Sequence, residues 1–133
     1  MTDDTWCRNK LVEPGHAYAG AVIAADGSLL GRATAGEIEP GAGLPAAGED
    51  IAAVFSGVHA FVADGSKYAE LRRFRTERDI FVVTAVRSTG GGGATLARTP
   101  QGTIVLGLFS TDKPFDDALP DVIAGAEELA AAE

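Results

Sequence analysis

Short apolar runs separated by turn residues dominate the chain and predict a β-rich domain. Residues 19–25 form a small apolar run that ends in Asp26-Gly27-Ser28. Asp-Gly between two apolar runs is a strong hairpin signal, so the residues from Leu29 onward are expected to pair back as a second strand. Asp64-Gly65 predicts another hairpin later in the chain.

The second half of the chain predicts further strands, each joined to the next by a short turn. Residues 80–86 are an unbroken run of β-favouring side chains. Pro100-Gln101-Gly102 places proline and glycine where a tight turn prefers them. Consecutive strands with short turns form an antiparallel meander. The strands predicted here are 59–62, 68–75, 80–86, 94–99 and 103–109.

Helical patterns lie at both ends of the chain and once between the strands. Residues 3–13 are predicted as a short helix that an aspartate caps and that Pro14-Gly15 ends. A loop rich in glycine and proline at 36–48 precedes a second helix at 49–55. The final helix, 115–132, carries apolar residues with the 3.6-residue period. Its predicted core-facing residues are Leu119, Val122, Ile123, Ala126 and Leu129.

These elements predict an α+β domain with a central antiparallel meander sheet. Because the strands are almost continuously apolar, the sheet is expected to be covered on both faces, with the N- and C-terminal helices on one of them. The length of 133 residues suits a single domain spanning 1–133.

Composition limits the partners and the cellular location that are expected for this domain. The formal charge of −8 argues against nucleic acid, because phosphate binding relies on lysine and arginine. A single cysteine, Cys7, cannot form an internal disulfide. No apolar run reaches the roughly 20 residues of a membrane span, and the N-terminal sequence MTDDTWCRNK lacks the apolar stretch of a signal peptide. The expected location is cytoplasmic.

The charges are distributed unevenly along the chain. Seven cations and three acids lie between residues 67 and 98, which gives this segment a net +4 and leaves −12 for the remainder. Such an uneven charge distribution fits either a basic face that binds an acidic partner, or solvated strands that differ in charge and bind nothing. The cations are Lys67, Arg72, Arg73, Arg75, Arg78, Arg87 and Arg98.

Ordered motifs along almost the whole chain resemble the profilin family. Trp6 lies on a short helix with an acidic start, and AVIAADGSLLGRA resembles the first hairpin of the family. DGSKY (64–68), TGGGGATLART (89–99) and QGTIVLGLF (101–109) resemble later family segments, and an amphipathic helix closes both chains. Each piece alone is common in proteins, so the shared order and spacing support the resemblance.

The resemblance implies a protein that binds actin or bacterial actin-like monomers and regulates their polymerisation in the cytoplasm, in association with the cytoskeleton. Profilins bind actin monomers through a face built from the later strands and the final helix. Some profilins also bind anionic phospholipid headgroups, so such lipids are a further candidate partner of that face. The positions that match it are Lys67, Arg72, Arg73, Arg75, Arg87 and Arg98 on the strands, with Asp121, Gly125 and Glu128 on the final helix.

One profilin activity is not expected here. Profilins hold proline-rich peptides in a cradle of aromatic residues, and docking a polyproline helix requires such aromatic grooves. Here Trp6 remains, Leu30 occupies the position where the second strand usually carries tryptophan, and the closing EELAAAE has no aromatic residue. The sequence therefore predicts that polyproline does not bind.

Other chemistry finds little support in the sequence. The four glycines at 90–93 lack the Gly-Lys-Ser/Thr of a phosphate loop. His16 and His59 have no metal-ligand spacing, and neither Cys7 nor Ser66 has a base beside it in the sequence. We expect no enzyme activity, no metal and no cofactor. The alternative function is a roadblock-like or other small scaffold or sensor domain that dimerises or binds a small ligand.

Overall fold

The computed structural model describes residues 4–13, 17, 19–34, 54–55, 57, 60–63, 66–87, 92–109 and 115–132. The chain begins with helix α1, Asp4–Cys7, which continues into a π-helical turn, Arg8–Val12. The amide of Glu13 donates to the Arg8 carbonyl at 2.7 Å and closes this wide turn. The short helix predicted within 3–13 is confirmed, and its residues Cys7 and Leu11 are buried against the sheet.

The predicted first hairpin is formed by β1, Ala19–Ile23, and β2, Leu29–Thr34. Gly27 has φ +91° in the turn, a backbone conformation that glycine adopts readily. The Asp26 carboxylate accepts hydrogen bonds from the hydroxyl of Ser28 at 2.5 Å and from its amide at 3.0 Å. These bonds lower the pKa of Asp26 below its ordinary value, because they favour the charged form.

The later strands form the predicted meander. These strands are β3, Ala60–Ala63; β4, Ser66–Arg75; β5, Phe81–Arg87; β6, Gly93–Arg98; and β7, Ile104–Phe109. The strand order in the seven-stranded sheet of described residues is β2-β1-β7-β6-β5-β4-β3, and all neighbours are antiparallel. Helix α2, Phe115–Ala132, has the predicted bounds.

Several predicted features lie outside the described residues. These are the loop at 36–48, the first residues of the helix predicted at 49–55, the turn at 64–65, the first two residues of the glycine run, and both histidines. Within the predicted second helix, Val54 is helical and is followed by a turn at Phe55.

Two apolar clusters cover the two faces of the sheet. On one face, here the helix face, Cys7 and Leu11 from the N-terminal helix and Val122 and Ala126 from α2 pack on strand residues such as Val105. On the other face, here the opposite face, Val54 and Phe55 pack over strand residues that include Leu96, Leu106 and Leu108. The predicted fold class is confirmed, including the placement of both terminal helices on one face.

Two glycines allow the terminal helices to pack closely on the sheet. Gly20 of β1 lies directly opposite Gly107 of β7. A β-carbon on Gly20 would lie 2.6 Å from Cδ1 of Leu11, and one on Gly107 would lie 2.6 Å from Cγ2 of Val122. Both distances are shorter than any normal contact, so the absence of side chains at these two positions lets both helices approach the strands closely.

No helix in the described part of the chain is long and apolar enough to cross a bilayer.

Candidate functional site

The predicted basic residues do not form one face. Side chains alternate between the two faces along a strand, and residues that pair directly across antiparallel strands lie on the same face. Arg72 pairs with Thr84 and Phe74 with Val82, whereas Arg73 pairs with Val83. Because Phe74 and Val82 belong to the helix-face cluster and Val83 to the opposite-face cluster, Arg72 and Arg73 lie on different faces. The expectation of a single basic face was wrong in this respect.

The first group of cations, here the cationic end, consists of Lys67, Arg72 and Arg87. Lys67 and Arg72 lie on the helix face with Val86, whereas Arg87 lies on the opposite face, because it pairs with Tyr68 of the opposite-face cluster. Lys67 lies near the start of β4, where the next residue, Tyr68, pairs with Arg87 at the end of β5. All three cations are exposed. Val86 is also exposed, at 37%, although the preceding four residues of its strand are buried.

The cationic end lies where the chain leaves the sheet for α2. Gly93 at the start of β6 pairs with Phe109 at the end of β7 on one side and with Val86 on the other. The ends of β5 and β7 and the start of β6 are therefore at this same edge of the molecule. Arg78 of the far turn contacts Glu127 late in α2 at 3.5 Å, so the start of α2 points toward the cationic end.

Arg72 borders a shallow hollow on the helix face. Its guanidinium lies 4.9 Å from the ring centroid of Phe74, and the two side chains line a cavity of about 170 Å³. The strand register shifts between Glu70 and Arg72, and the Thr84 hydroxyl donates to the Arg72 carbonyl at 3.4 Å. The hollow offers an apolar wall and a cation side by side.

The second group, here the arginine–phenylalanine cluster, lies on the opposite face at the other end of the strands. It consists of Arg73, Arg75 and Arg98 around Phe55 and Phe81. Phe81 pairs across the sheet with Arg75 on one side and with Arg98 on the other. The two rings meet edge to face, with centroids 5.6 Å apart. Each of the three guanidinium groups lies between 5.1 and 5.8 Å from at least one of these rings, within the range of a cation–π contact.

Arg73 is held inside this cluster by its own chain. Its Nε donates to Oε1 of Glu70 at 3.0 Å, Nη2 donates to the same carboxylate, and Nη2 also donates to the Val54 carbonyl at 3.2 Å. The hydrogen bond with Glu70 raises the pKa of Arg73 above its ordinary value. A guanidinium with these bonds ties β4 to the segment at Val54 and has little left to offer a partner.

The structure corrects one predicted position on α2. Gly125 was expected to be exposed, but it is buried, and a β-carbon there would lie 3.2 Å from the ring of Trp6. Glu128 is exposed, and its carboxylate lies 3.3 Å from Nζ of Lys10 in the N-terminal π-helical turn. Asp121 is half-buried in the first half of the helix. Of the three predicted helix positions, Asp121 is therefore the one nearest the cationic end.

Two features of these surfaces have no motif in the sequence. The exposed Val86 lies in a run of β-favouring residues that predicts a wholly buried strand. The contact between Phe55 and Phe81 joins residues far apart in the chain, so neither periodicity nor spacing predicts it. The strand alternation, in contrast, was a usable signal that adjacent arginines would separate.

The described residues contain no group of three or more histidine, cysteine or acidic side chains that could hold a metal ion. Cys7 is fully buried within the helix-face cluster. A thiol in such apolar surroundings is not positioned to act as a nucleophile.

An antiparallel sheet with both terminal helices packed on one face is the architecture of profilin. The match to solved structures is close to full length. Acanthamoeba castellanii profilin IA superposes with a TM-score of 0.71 at 21% identity, covering 97% of this chain and 97% of that one. Loki profilin 1, in a complex with rabbit actin, gives 0.70 at 16% identity, covering 97% and 94%. Loki profilin 2, also in a complex with rabbit actin, gives 0.70 at 19%, covering 97% and 96%.

No family model and no curated protein matches the sequence significantly. The fold is thus that of a profilin, at 16–21% sequence identity to these solved examples.

Proposed function

We propose that this protein binds the monomer of an actin or actin-like protein through the cationic end and thereby regulates its polymerisation. The observation that carries the proposal is the exposure of Lys67, Arg72 and Val86 on one face of the sheet, with Arg87 exposed at the same end of β5 as Val86, where the sheet leads into α2. The Loki profilins that share this fold are seen in complexes with rabbit actin.

The physical roles of these side chains differ. Buried apolar contacts near the centre of an interface supply most of the affinity, and Val86 is the exposed apolar side chain of this surface. The surrounding cations raise the rate of encounter with an acidic partner and fix its orientation. Arg72 can add a stacked contact because its guanidinium already lies along the Phe74 ring.

Regulation would be steric. A bound domain of 13.6 kDa covers one end of the monomer, so that end cannot join a forming nucleus. Fewer nuclei form, and the amount of unpolymerised monomer, held in the complex, rises in proportion to the added protein. Catalysis plays no part in this mechanism, and it needs no cofactor.

Polymerisation of actin, and of an actin-like protein, with and without this protein tests the proposal. We expect slower nucleation by light scattering and less pelleted polymer by sedimentation, in proportion to the protein added. If neither assay responds and no complex migrates on a sizing column, the actin proposal fails and the scaffold alternative becomes the better one.

The scaffold alternative requires a sheet edge that a second copy can join. At the β2 edge, the Asp4 carboxylate accepts the backbone amide of Arg32 at 3.0 Å. A partner strand would have to displace that bond, which is one way in which edge strands avoid pairing with other chains. This observation disfavours dimerisation through β2.

Polyproline is expected not to bind. The Trp6 ring packs against Gly125 of α2 and contributes to the helix-face cluster, so its aromatic surface is partly used within the protein. Titrating polyproline into the protein should leave the Trp6 fluorescence unchanged up to millimolar concentration. Because Trp6 is the sole tryptophan, a saturable spectral change would report a peptide at the terminal helices and contradict the prediction.

A further inference from the structure

The arginine–phenylalanine cluster concentrates positive charge on a protein that is otherwise strongly acidic. Arg75, Phe81 and Arg98 form a row across β4, β5 and β6 on the opposite face. Both guanidinium groups lie within 5.8 Å of the same ring centroid, so their centres are at most twice that distance apart. The row therefore presents two cations beside one partly buried aromatic ring.

The acids among the described residues neutralise this charge incompletely. Glu70 is committed to Arg73. Asp79 contacts Arg75 at 3.1 Å, but both side chains are more than half exposed, and an ion pair of this kind contributes little and is readily exchanged. Within the described part of the chain, the contacts of the Arg98 side chain are with the rings of Phe55 and Phe81, and no carboxylate pairs with it.

The cluster also presents apolar surface. Phe55 and Phe81 are only partly buried, although both pack against the opposite-face core. A ligand that suits this surface brings carboxylates for Arg75 and Arg98 and an apolar side chain for the rings. Guanidinium groups match carboxylates especially well, because their planar donors can bind both oxygens.

We propose that the arginine–phenylalanine cluster is a second binding surface, which takes an acidic peptide segment that carries an apolar residue between its carboxylates. The overall charge favours a short segment over an extended anionic surface. At physiological salt, charges are screened beyond about 8 Å, so a peptide meets the local cations, whereas a membrane would also face the acids elsewhere on a chain of net charge −8.

The second surface is separate from the proposed actin surface. Lys67 and Arg75 lie near opposite ends of β4, roughly 26 Å apart at about 3.3 Å per residue. Arg72 is roughly 10 Å from Arg75 along the strand. Lys67 and Arg72 nevertheless lie on the helix face, whereas the arginine–phenylalanine cluster lies on the opposite face. A partner held at the arginine–phenylalanine cluster could therefore be bound at the same time as a monomer at the cationic end.

Fluorescence anisotropy of a labelled peptide, with one leucine between two pairs of glutamates, tests the proposal on the whole chain without actin. We expect saturable binding that weakens at least tenfold in the variant Arg75→Gln/Arg98→Gln. The matched variant Lys67→Gln/Arg72→Gln loses the same charge at the other end and should bind the peptide normally. Arg98→Lys keeps the charge but loses the planar stack, so its affinity should lie between those of the protein and the double variant.

Each remaining result decides against the proposal. Equal peptide affinity for both double variants would show that net charge, and not this cluster, attracts the peptide. Binding of the glutamine version of the peptide at equal strength would remove the role of carboxylates. Displacement of the peptide by actin would place the cluster within the actin surface. Sedimentation with phosphatidylserine vesicles that depends on Arg75 and Arg98, without peptide binding, would assign the cluster to membranes. Unchanged circular dichroism spectra confirm that the variants fold.

Discussion

Replacing Gly20 by valine is expected to destabilise the protein by about 3 kcal/mol, at the upper end of the cost of overpacking a core. The new β-carbon would lie 2.6 Å from Cδ1 and 2.7 Å from Cβ of Leu11. Moving the Leu11 tip relieves only the first contact, because Cβ is fixed by the backbone of the π-helical turn. The N-terminal helix would have to shift away from β1. Urea denaturation with a two-state fit measures the change.

A double-mutant cycle separates this clash from any effect on the strand itself. Leu11→Ala alone should cost about 2–5 kcal/mol, because Leu11 is fully buried. In the double variant Gly20→Val/Leu11→Ala, the close contact with Cβ of residue 11 remains, but the contacts with Cγ and Cδ1 are removed and the added methyl groups occupy the space they leave. The total cost should therefore fall below the sum of the single costs. Additive costs would show that Gly20 and Leu11 do not compete for the same space.

The Gly20–Gly107 pair illustrates which parts of this fold the sequence could predict and which it could not. The 3.6-residue period predicted the bounds of α2, and Asp26-Gly27-Ser28 predicted the first hairpin, because both signals are local. The register that places Gly20 opposite Gly107 depends on how distant strands pair, which no local pattern contains. The sequence alone therefore could not predict that these two glycines allow both helices to approach the sheet.

Prediction of the functional site from the sequence was limited in a different way. The expectation that Arg72, Arg73 and Arg75 share one face treated a run of cations as a surface, although the period of two along a strand separates neighbours. Gly125 was also open to prediction from local pattern. It lies three residues after the core residue Val122, which places it near the buried stripe of the helix. Its contact with Trp6, however, depends on the packing of the two ends of the chain.

Neutralising the cationic end is expected to weaken actin binding about 100-fold. In Lys67→Gln/Arg72→Gln, two exposed cations are removed from the surface around Val86 without a large change in side-chain size. Hydrogen bonds to charged groups contribute about 1.5–3 kcal/mol each, and each 1.4 kcal/mol is a factor of about ten in affinity. Light scattering should accordingly show near-normal nucleation at protein concentrations where the unmodified chain suppresses it.

Arg75→Gln/Arg98→Gln is the matched control, since it removes the same charge from the opposite end of the strands. Its actin affinity should stay within about threefold of normal, because Arg75 and Arg98 lie on the other face of the sheet from Lys67 and Arg72, and screening weakens the long-range attraction that remains. If this control loses binding while Lys67→Gln/Arg72→Gln retains it, actin is held by the arginine–phenylalanine cluster and the cationic end is the wrong surface. If both variants lose binding equally, net charge governs the encounter and neither end specifies the contact. The expected pair of results, with actin lost from one end and the acidic peptide from the other, would establish two independent surfaces on one small domain.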